Sequence, residues 1–350
     1  MKIAARELEQ LTAQIFTAAG CQPQEAERVA RRLVDANLVG HDSHGAIRIK
    51  TYVEWLQAGL LVAGQTIEIV LENDVLAVVD GRSGFGQTIG EQAVQLGIEK
   101  CRKQGVSAIA LRHCGHLGRI GDWPEMAARA GIISLHFVNT SGKGLLVAPF
   151  GGIDRRMSAN PIAAGVPVAG REPIVLDISC CTVAEGKIRV ALNKGIQLPD
   201  GCVIDGDGKP CTDPRTFYEA PGAILPFGGH KGYGLGIIVE LLAGALTGGD
   251  CTNPVNSTRL HNGMFSVYLD PEHFAKHEEL HAEMNRFIEY VKSSRTATSD
   301  GEILMPGELE IRNRRSRLLN GIDLDDTTWQ QITSLAAQLN VVYPLSSDKA

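Results

Sequence analysis

Over the first sixty residues, the hydrophobic positions recur every three to four residues, which is the spacing of amphipathic helices. One such segment runs from Glu7 to Phe16, and a second begins after Pro23 and ends at Gly40. A third follows the polar segment HDSHG and ends before Gly59. Glycine or proline bounds these segments, as is usual where helices begin or end. The sequence therefore predicts three helices at the start of the chain.

From residue 66 onward, short apolar runs of strand length alternate with helical patterns. The runs IEIVLEN, VLAVVDG, VSAIALR and IISLHFVN read as strands, and QTIGEQAVQLGIEKCRKQG and DWPEMAARAG read as the helices between them. Strands that alternate with helices at this spacing indicate an α/β architecture.

The second half of the chain continues this pattern and ends in helices. PIAAGVPV and PIVLDISCC are further apolar segments, LPDGCVIDGDGKPCTDP reads as a loop or hairpin, and 231–249 predicts a buried helix. A strand over 263–270 precedes helices over about 279–293, 307–319 and 326–339. Because both chain ends are helical, we expect them to pack together as one unit.

Composition narrows the class of protein. The 350 residues suffice for about two domains. The formal net charge is −6 and no basic stripe occurs, so we expect no nucleic-acid partner. The most apolar stretch, 234–246, is too short to cross a membrane and contains Glu240. The amphipathic start, the absence of a CxxC pair and the lack of an export signal predict a cytoplasmic protein with reduced, buried thiols.

Glycine is unusually frequent, at 39 residues, and three glycines form a candidate phosphate-binding turn. Gly84, Gly86 and Gly90 follow a predicted strand and lead into a helix. Their GxGxxxG spacing is one residue longer than the dinucleotide-binding fingerprint. The next strand ends in Leu111–Arg112, where a ribose-binding acid would be expected. We therefore interpret this segment as a tight strand-to-helix turn.

The segment HDSHGAIRIKTY concentrates candidate chemistry. We expect Ser43 to cap the helix that follows, and His44, Arg48 and Tyr52 to share one face at i, i+4 and i+8. A guanidinium fork suits a carboxylate, and an imidazole can move a proton. A capped surface helix with a solvated polar face is the alternative.

A second segment, HCGHLGRIG, places His116 and Arg119 in a glycine-rich loop after a predicted strand. Ligands often bind at this end of strands, and histidine is the usual general base near neutral pH. Both segments contain HxxH, formed by His41 and His44 and by His113 and His116, so a metal-dependent hydrolase is an alternative. Neither HExxH nor a zinc-finger spacing occurs. A loop histidine without a role is the remaining alternative.

Several motifs in one order resemble a known family. They are GHDSHGAIR (40–48), GHLGRIG (115–121), VAPFGG (147–152), SANPIAAGVP (158–167), LDIS (176–179), GHKGYGLG (229–236) and LMPGE (304–308). The chain resembles the type 2 malate/L-lactate dehydrogenases, the L-sulfolactate dehydrogenase-like family, and is most similar to the hydroxycarboxylate dehydrogenase branch. The family also includes ureidoglycolate dehydrogenases, diketogulonate reductases and piperideine-2-carboxylate reductases.

The resemblance implies a fold and an activity. The fold is α/β and non-Rossmann, with a largely antiparallel sheet flanked by helices. A helical unit of residues 1–65 and 307–350 would complete an α/β region of residues 66–306 that binds cofactor and substrate. The activity is an NAD- or NADP-dependent dehydrogenase of a small 2-hydroxy or 2-oxo acid such as malate or lactate, in a homodimer with the site near the subunit contact. A cyclic imino acid reductase and a ureidoglycolate-type dehydrogenase are alternatives, as is a non-catalytic binding protein of the same fold.

The resemblance also implies roles for residues of this chain. His116 and His44 match the two catalytic positions, and we favour His116 as the group that exchanges the substrate proton. Arg48 would hold the substrate carboxylate, with Ser43 and Tyr52 lining the site. The implied cofactor-binding residues are Thr140, Asn160, Asp177, Ile178, Ser179, His230, Lys231, Pro306, Gly307 and Glu308. This chain reads LDISCCTV where family members often carry Ala-Thr or Ala-Ser after the LD pair. Without the resemblance, Lys231 and Pro306–Glu308 also read as ordinary helix starts.

Overall fold

The architecture follows from a computed structural model, which describes residues 1–142, 144–253 and 259–342. The predicted helical unit extends to residue 350, so its last part, 343–350, lies outside the described residues. The helices are α1 (Ala5–Ala18), α2 (Pro23–Leu38), α3 (Arg48–Gln57), α4 (Gly86–Gln104), α5 (Asp122–Arg129), α6 (Glu185–Lys194), α7 (Arg215–Glu219), α8 (His230–Glu240), α9 (His277–Lys292), α10 (Glu308–Asn320) and α11 (Asp326–Gln338). The strands are β1 (Lys2–Ile3), β2 (Glu68–Glu72), β3 (Leu76–Asp80), β4 (Val106–Cys114), β5 (Ile133–Gly142), β6 (Ile162–Val166), β7 (Ile174–Ile178), β8 (Val203–Ile204), β9 (Pro210–Cys211), β10 (Ala223–Ile224), β11 (Leu260–Leu269) and β12 (Ile322–Asp323).

A seven-stranded sheet in the order β2-β3-β4-β11-β5-β6-β7 forms the centre of the molecule. The neighbours β3 and β4 are parallel, because α4 carries the chain across the sheet between them. The other neighbouring pairs of this sheet are antiparallel. The sheet is therefore mixed, and the prediction of a largely antiparallel sheet was wrong in this respect.

The amphipathic helices at the start of the chain bury their apolar faces against one another and against residues from near the other chain end. Leu8, Ile15 and Leu33 from α1 and α2 are fully or almost fully buried in this cluster. Ile322 and Ile332, from β12 and α11, join the same cluster. The strand pair of β1 with β12 links the two ends directly by backbone hydrogen bonds. The described parts of both ends therefore share one hydrophobic core.

The predicted buried helix over 231–249 is buried on one side only, which corrects the expectation. It forms α8 and then a π-helical turn, Leu241–Ala245. Ile238, Leu241 and Leu246 are 51%, 51% and 57% exposed, whereas Val239 and Ala243 are fully buried. A helix that is apolar all round can bury one face on the sheet and leave the other exposed, because much of the surface of a folded protein is apolar. None of the helices among the described residues is long and apolar enough to span a membrane.

Candidate active site

The loop after β4 carries His116 and is held by backbone and amide contacts. Asn262 at the start of β11 accepts a hydrogen bond from the Leu117 amide at 2.8 Å. The first turn of α4 also packs closely against this loop: a Cβ on Gly86 would lie 2.1 Å from the His116 carbonyl oxygen. The glycine at position 86 is thus required by close approach of two backbone segments, in agreement with its interpretation as a structural turn.

His116 and His44 come from separate segments and meet face to face. Their ring centroids are 5.5 Å apart and their planes differ by 12°. Nδ1 of His44 lies 3.0 Å from the hydroxyl of Ser43. Ser43 belongs to the 3₁₀ turn Asp42–His44 and makes no capping hydrogen bond to α3, so the predicted helix cap was wrong. The chain turns once more at Gly45 before α3 begins, and this frees the Ser43 hydroxyl for the histidine.

Tyr52 orients the second ring from the buried face of α3. Its hydroxyl lies 2.6 Å from Nδ1 of His116, and the side-chain amide of Gln87 lies 3.2 Å from the same hydroxyl. Burial raises the pKa of Tyr52 to about 12, so the phenol keeps its proton at neutral pH. Tyr52 therefore acts here as a neutral hydrogen-bonding group next to an imidazole.

Arg48 supplies a positive charge that no acid of the described residues neutralises. Its Nε donates to the Ser43 carbonyl at 2.7 Å, and its guanidinium forms no ion pair within the described part of the chain. Burial lowers the pKa of His44 to about 3, with further contributions from Arg48, His41 and Arg119. Burial, Arg48 and His44 also lower the pKa of His116. At neutral pH the site thus holds two neutral imidazoles beside one cation, a combination that favours an anionic ligand.

The first histidine of each HxxH segment has a different partner from the second. His41 pairs with Glu310 at 3.3 Å, and His113 pairs with Asp80 at 2.8 Å. Across the described ranges, no group of three or more His, Cys, Asp or Glu side chains is arranged to hold a metal ion. The described residues therefore offer no set of metal ligands for the alternative of a metal-dependent hydrolase.

Asp177 lies beside the His116 loop, where it accepts a hydrogen bond from the Gly121 amide at 2.8 Å. Nε of Arg119 is 4.0 Å from the same carboxylate, and Nδ1 of His41 is 3.9 Å from it. Arg119 itself is buried and pairs with Asp122 and Glu125. Asp177 and Arg119 therefore fix the end of the loop to β7.

Asn160 and Thr140 make polar contacts with α8 and with Asn262, respectively. Asn160 is buried at a positive φ of 41°, and its amide donates to the Gly236 carbonyl and to Glu240 on α8. Thr140 accepts from the side-chain amide of Asn262 at 3.0 Å, the residue that also binds the Leu117 amide. These polar contacts connect β5, α8 and the His116 loop.

The start of α8 and the end of β7 lie together. The Phe227 amide donates to the Cys180 carbonyl at 3.1 Å, which brings Ile178 and Ser179 near the turn that precedes His230 and Lys231. That turn contains Gly228 and Gly229, both at positive φ. Lys231 is exposed, and its ammonium has no hydrogen-bond or ion-pair partner among the residues that the structure describes. A free cation at the beginning of a helix is chemically suited to a phosphate group.

The turn Pro306–Glu308 lies at the other end of β7. The Pro306 carbonyl accepts from the Val175 amide at 3.1 Å, and Gly307 has a φ of 95° directly before α10. Glu308 is paired with Lys292 at 2.6 Å, and this pairing lowers its pKa although partial burial opposes the effect. Of the predicted cofactor residues, Ile178 and Ser179 thus lie at one end of β7 and Pro306–Glu308 at the other.

Some residues of the site have no signal in the sequence motifs. Gln87, Asn262 and Glu240 are buried polar side chains that hold Tyr52, the His116 loop and Asn160, respectively. Gly186 packs on Ser43, since a Cβ there would lie 2.4 Å from the serine Cβ. For Gln87, Asn262 and Glu240 the available hint is a polar side chain among apolar neighbours in the sequence, and this hint does not identify the partner.

Comparison with known proteins places this chain in the class of hydroxy acid dehydrogenases. The malate/L-lactate dehydrogenase family model matches residues 3–333. The chain is 39% identical over 342 residues to hydroxycarboxylate dehydrogenase B of Escherichia coli (strain K12), which covers 96% of this chain and 94% of that protein. It is 37% identical to an L-lactate dehydrogenase of Cupriavidus necator, with 98% and 99% covered.

A solved structure agrees with these sequence matches. Sulfolactate dehydrogenase from Methanocaldococcus jannaschii superposes with a TM-score of 0.87 at 34% identity, covering 97% of this chain and 98% of that one. The chain belongs to the malate/L-lactate dehydrogenase family. The family resemblance inferred from the motifs is confirmed.

Proposed function

We propose that the protein is an NAD- or NADP-dependent dehydrogenase that oxidises a small 2-hydroxy acid to the 2-oxo acid and catalyses the reverse reaction. One observation carries this proposal: two stacked imidazoles lie beside Arg48, whose guanidinium has no carboxylate partner among the described residues. The relatives named as hydroxycarboxylate, L-lactate and L-sulfolactate dehydrogenases support a substrate that is an acid with a 2-hydroxyl group.

Arg48 binds the substrate carboxylate in this proposal. Its Nε is already fixed on the Ser43 carbonyl, which leaves the terminal nitrogens for two parallel bonds to a carboxylate. An arginine that is held in place before binding loses less conformational freedom when the substrate arrives. Ser43 and Tyr52 line the same space through their contacts with His44 and His116.

His116 exchanges the hydroxyl proton at its Nε2 atom. Its Nδ1 is engaged by Tyr52, so Nε2 is the ring nitrogen left for substrate. His44 stacks on His116 and keeps its own orientation through Ser43. A positioned base contributes roughly 10²–10⁴-fold to such a proton transfer. When bound, the nicotinamide supplies the two-electron acceptor for the hydrogen on C2 of the substrate.

The donor set of the chain fits a nicotinamide dinucleotide. Lys231 provides an exposed cation at the start of α8 that is suited to a phosphate, directly after the turn that contains Gly228 and Gly229. Ile178 and Ser179 lie beside this turn. Thr140 lies near the end of β5, and His230 is the first residue of α8. Pro306, Gly307 and Glu308 complete the proposed set. Asp177 and Asn160 act by holding Gly121 and α8 in place, because their side chains are engaged there.

We further propose the domain division and a homodimer. Residues 1–65 with 307–350 form the helical unit, and 66–306 form the region that binds cofactor and substrate. The shared core of the described chain ends supports the division. The exposed apolar residues Ile238, Leu241 and Leu246 support a subunit contact along α8, since burial of such a stripe in a second copy is favourable.

Substitution of the histidines tests the proposed roles. His116→Asn should lower kcat by at least a hundredfold and leave NADH binding, followed by cofactor fluorescence, unchanged. His44→Asn should have the smaller effect on kcat, because His44 in this proposal orients the other ring. Wild-type turnover in the His116 variant would transfer the proton-exchange role to His44.

A further inference from the structure

Gln87 is a buried polar side chain with an unusual position next to the proposed base. It is 1% exposed and lies in the first turn of α4, where Gly86 allows the helix to contact the His116 loop. Its Nε2 lies 3.2 Å from the Tyr52 hydroxyl, and its Oε1 has no hydrogen-bond partner in the described structure. A buried polar atom without a partner is costly and calls for an explanation.

The chain of contacts from Gln87 through Tyr52 to His116 has two possible hydrogen-bond directions. The two ends of a side-chain amide have almost the same shape, so the network decides which end faces Tyr52. If Nε2 faces the phenol, the Tyr52 proton is directed to Nδ1 of His116, and the neutral ring then carries its proton on Nε2. If Oε1 faces the phenol, Tyr52 donates to Gln87 and accepts from Nδ1–H of His116.

Only the second direction leaves a lone pair on Nε2 of neutral His116. That atom must take the hydroxyl proton when the 2-hydroxy acid is oxidised, and it must be left without a proton after the 2-oxo acid is reduced. The first direction leaves Nε2 of the neutral ring already protonated. Either amide direction leaves one buried amide atom of Gln87 without a partner, so the proton chemistry decides between them.

We propose that Gln87 is a positioning residue that turns its Oε1 toward Tyr52 and thereby holds neutral His116 in the tautomer with Nδ1 protonated and Nε2 free. Gln87 contacts neither substrate nor cofactor in this arrangement and acts through Tyr52. The inference rests on the proposed role of His116 in the dehydrogenase, but the tautomer of the ring is a property of the protein alone.

Nitrogen NMR of histidine-labelled protein measures that tautomer without cofactor or substrate. The His116 signals are assigned by their loss in His116→Asn. Wild type and Gln87→Glu, which keeps an acceptor at this position, should show the tautomer with Nδ1 protonated. Gln87→Met, which has a similar shape and no acceptor, should show a mixture or the other tautomer. A wild-type ring protonated on Nε2, or a tautomer that Gln87→Met does not change, would overturn the proposal.

Kinetics provides a second, independent arm. Gln87→Met should lower kcat about tenfold with little change in KM, and Gln87→Glu should retain most of the turnover. Gln92→Met is the matched control, because Gln92 lies on the same helix and binds the Ile67 amide instead.

In a Tyr52→Phe background Gln87→Met should have no further effect on kcat, since its action passes through the phenol. An equal loss in both backgrounds would contradict the inference. Absent wild-type turnover would reject the proposed function, and the NMR arm would still decide on Gln87.

Discussion

At the scale of single residues, some contacts of the site join side chains that are close in the sequence, and others join side chains that are far apart in it. Ser43 contacts both His44 and Arg48 within one short segment. The spacing of that segment was enough to indicate that an imidazole, a guanidinium and a phenol share one face. The pairing of Tyr52 with His116 spans 64 residues, and that of Gln87 with Tyr52 spans 35. Local spacing carries no information about such pairs, and Gln87 was therefore not predicted.

The proposed binding of the substrate carboxylate by Arg48 can be tested by substitution. Arg48→Lys should raise KM for the 2-oxo acid more than tenfold, because a single ammonium replaces a fork that makes two parallel bonds. The dissociation constant of the cofactor should change little. Steady-state kinetics and cofactor titration measure the two quantities. Arg286→Lys is a control of the same chemistry on α9, where the arginine pairs with Glu283. An unchanged KM would show that Arg48 does not bind the carboxylate.

At the scale of elements, most helices and strands follow from periodicity, whereas their arrangement does not. The alternation of β3, α4 and β4 predicted an α/β unit, and these two strands are parallel in the sheet. β11 pairs with both β4 and β5, and its residues come 118 to 163 positions after their partners in the chain. No local pattern specifies that insertion. The half-exposed α8 was also not predictable, because the hydrophobicity of a helix does not show which of its faces a neighbouring element covers.

The close contact between α4 and the His116 loop can be tested at Gly86. Gly86→Ala should destabilise the protein by about 1–3 kcal/mol and lower kcat, because its Cβ would overlap the His116 carbonyl and force the loop to move. Gly234→Ala is the control, since no atom lies within 4 Å of a Cβ there and alanine favours the helix. Urea unfolding and kcat are the measurements. A Gly86 variant as active and stable as wild type would show that this close approach has no role.

At the scale of the whole molecule, buried histidines make stability depend on pH. Burial lowers the pKa of His136 to about 3 from its ordinary value of 6.5, and the same cause acts on His44 and His116. A histidine that resists protonation when folded binds its proton more readily when unfolded. The stabilising effect is therefore complete above about pH 6.5 and is lost as the pH falls toward 3.

The expected loss at about pH 5 is about 2 kcal/mol for His136 alone. Urea unfolding between about pH 8 and about pH 5 measures it. His136→Gln should reduce the slope of stability against pH in this range by more than His277→Gln does, because the His277 side chain is 59% exposed. A slope that is identical in the wild type and the His136 variant would contradict the assignment.

The most direct test of the central claim is the oxidation of NADH or NADPH by the purified protein with a panel of small 2-oxo acids. We predict that nicotinamide absorbance falls with at least one of these acids, that a 2-hydroxy acid drives the reverse change, and that His116→Asn abolishes both while still binding the cofactor. An enzyme that oxidises neither cofactor with any 2-oxo acid would contradict the proposed function.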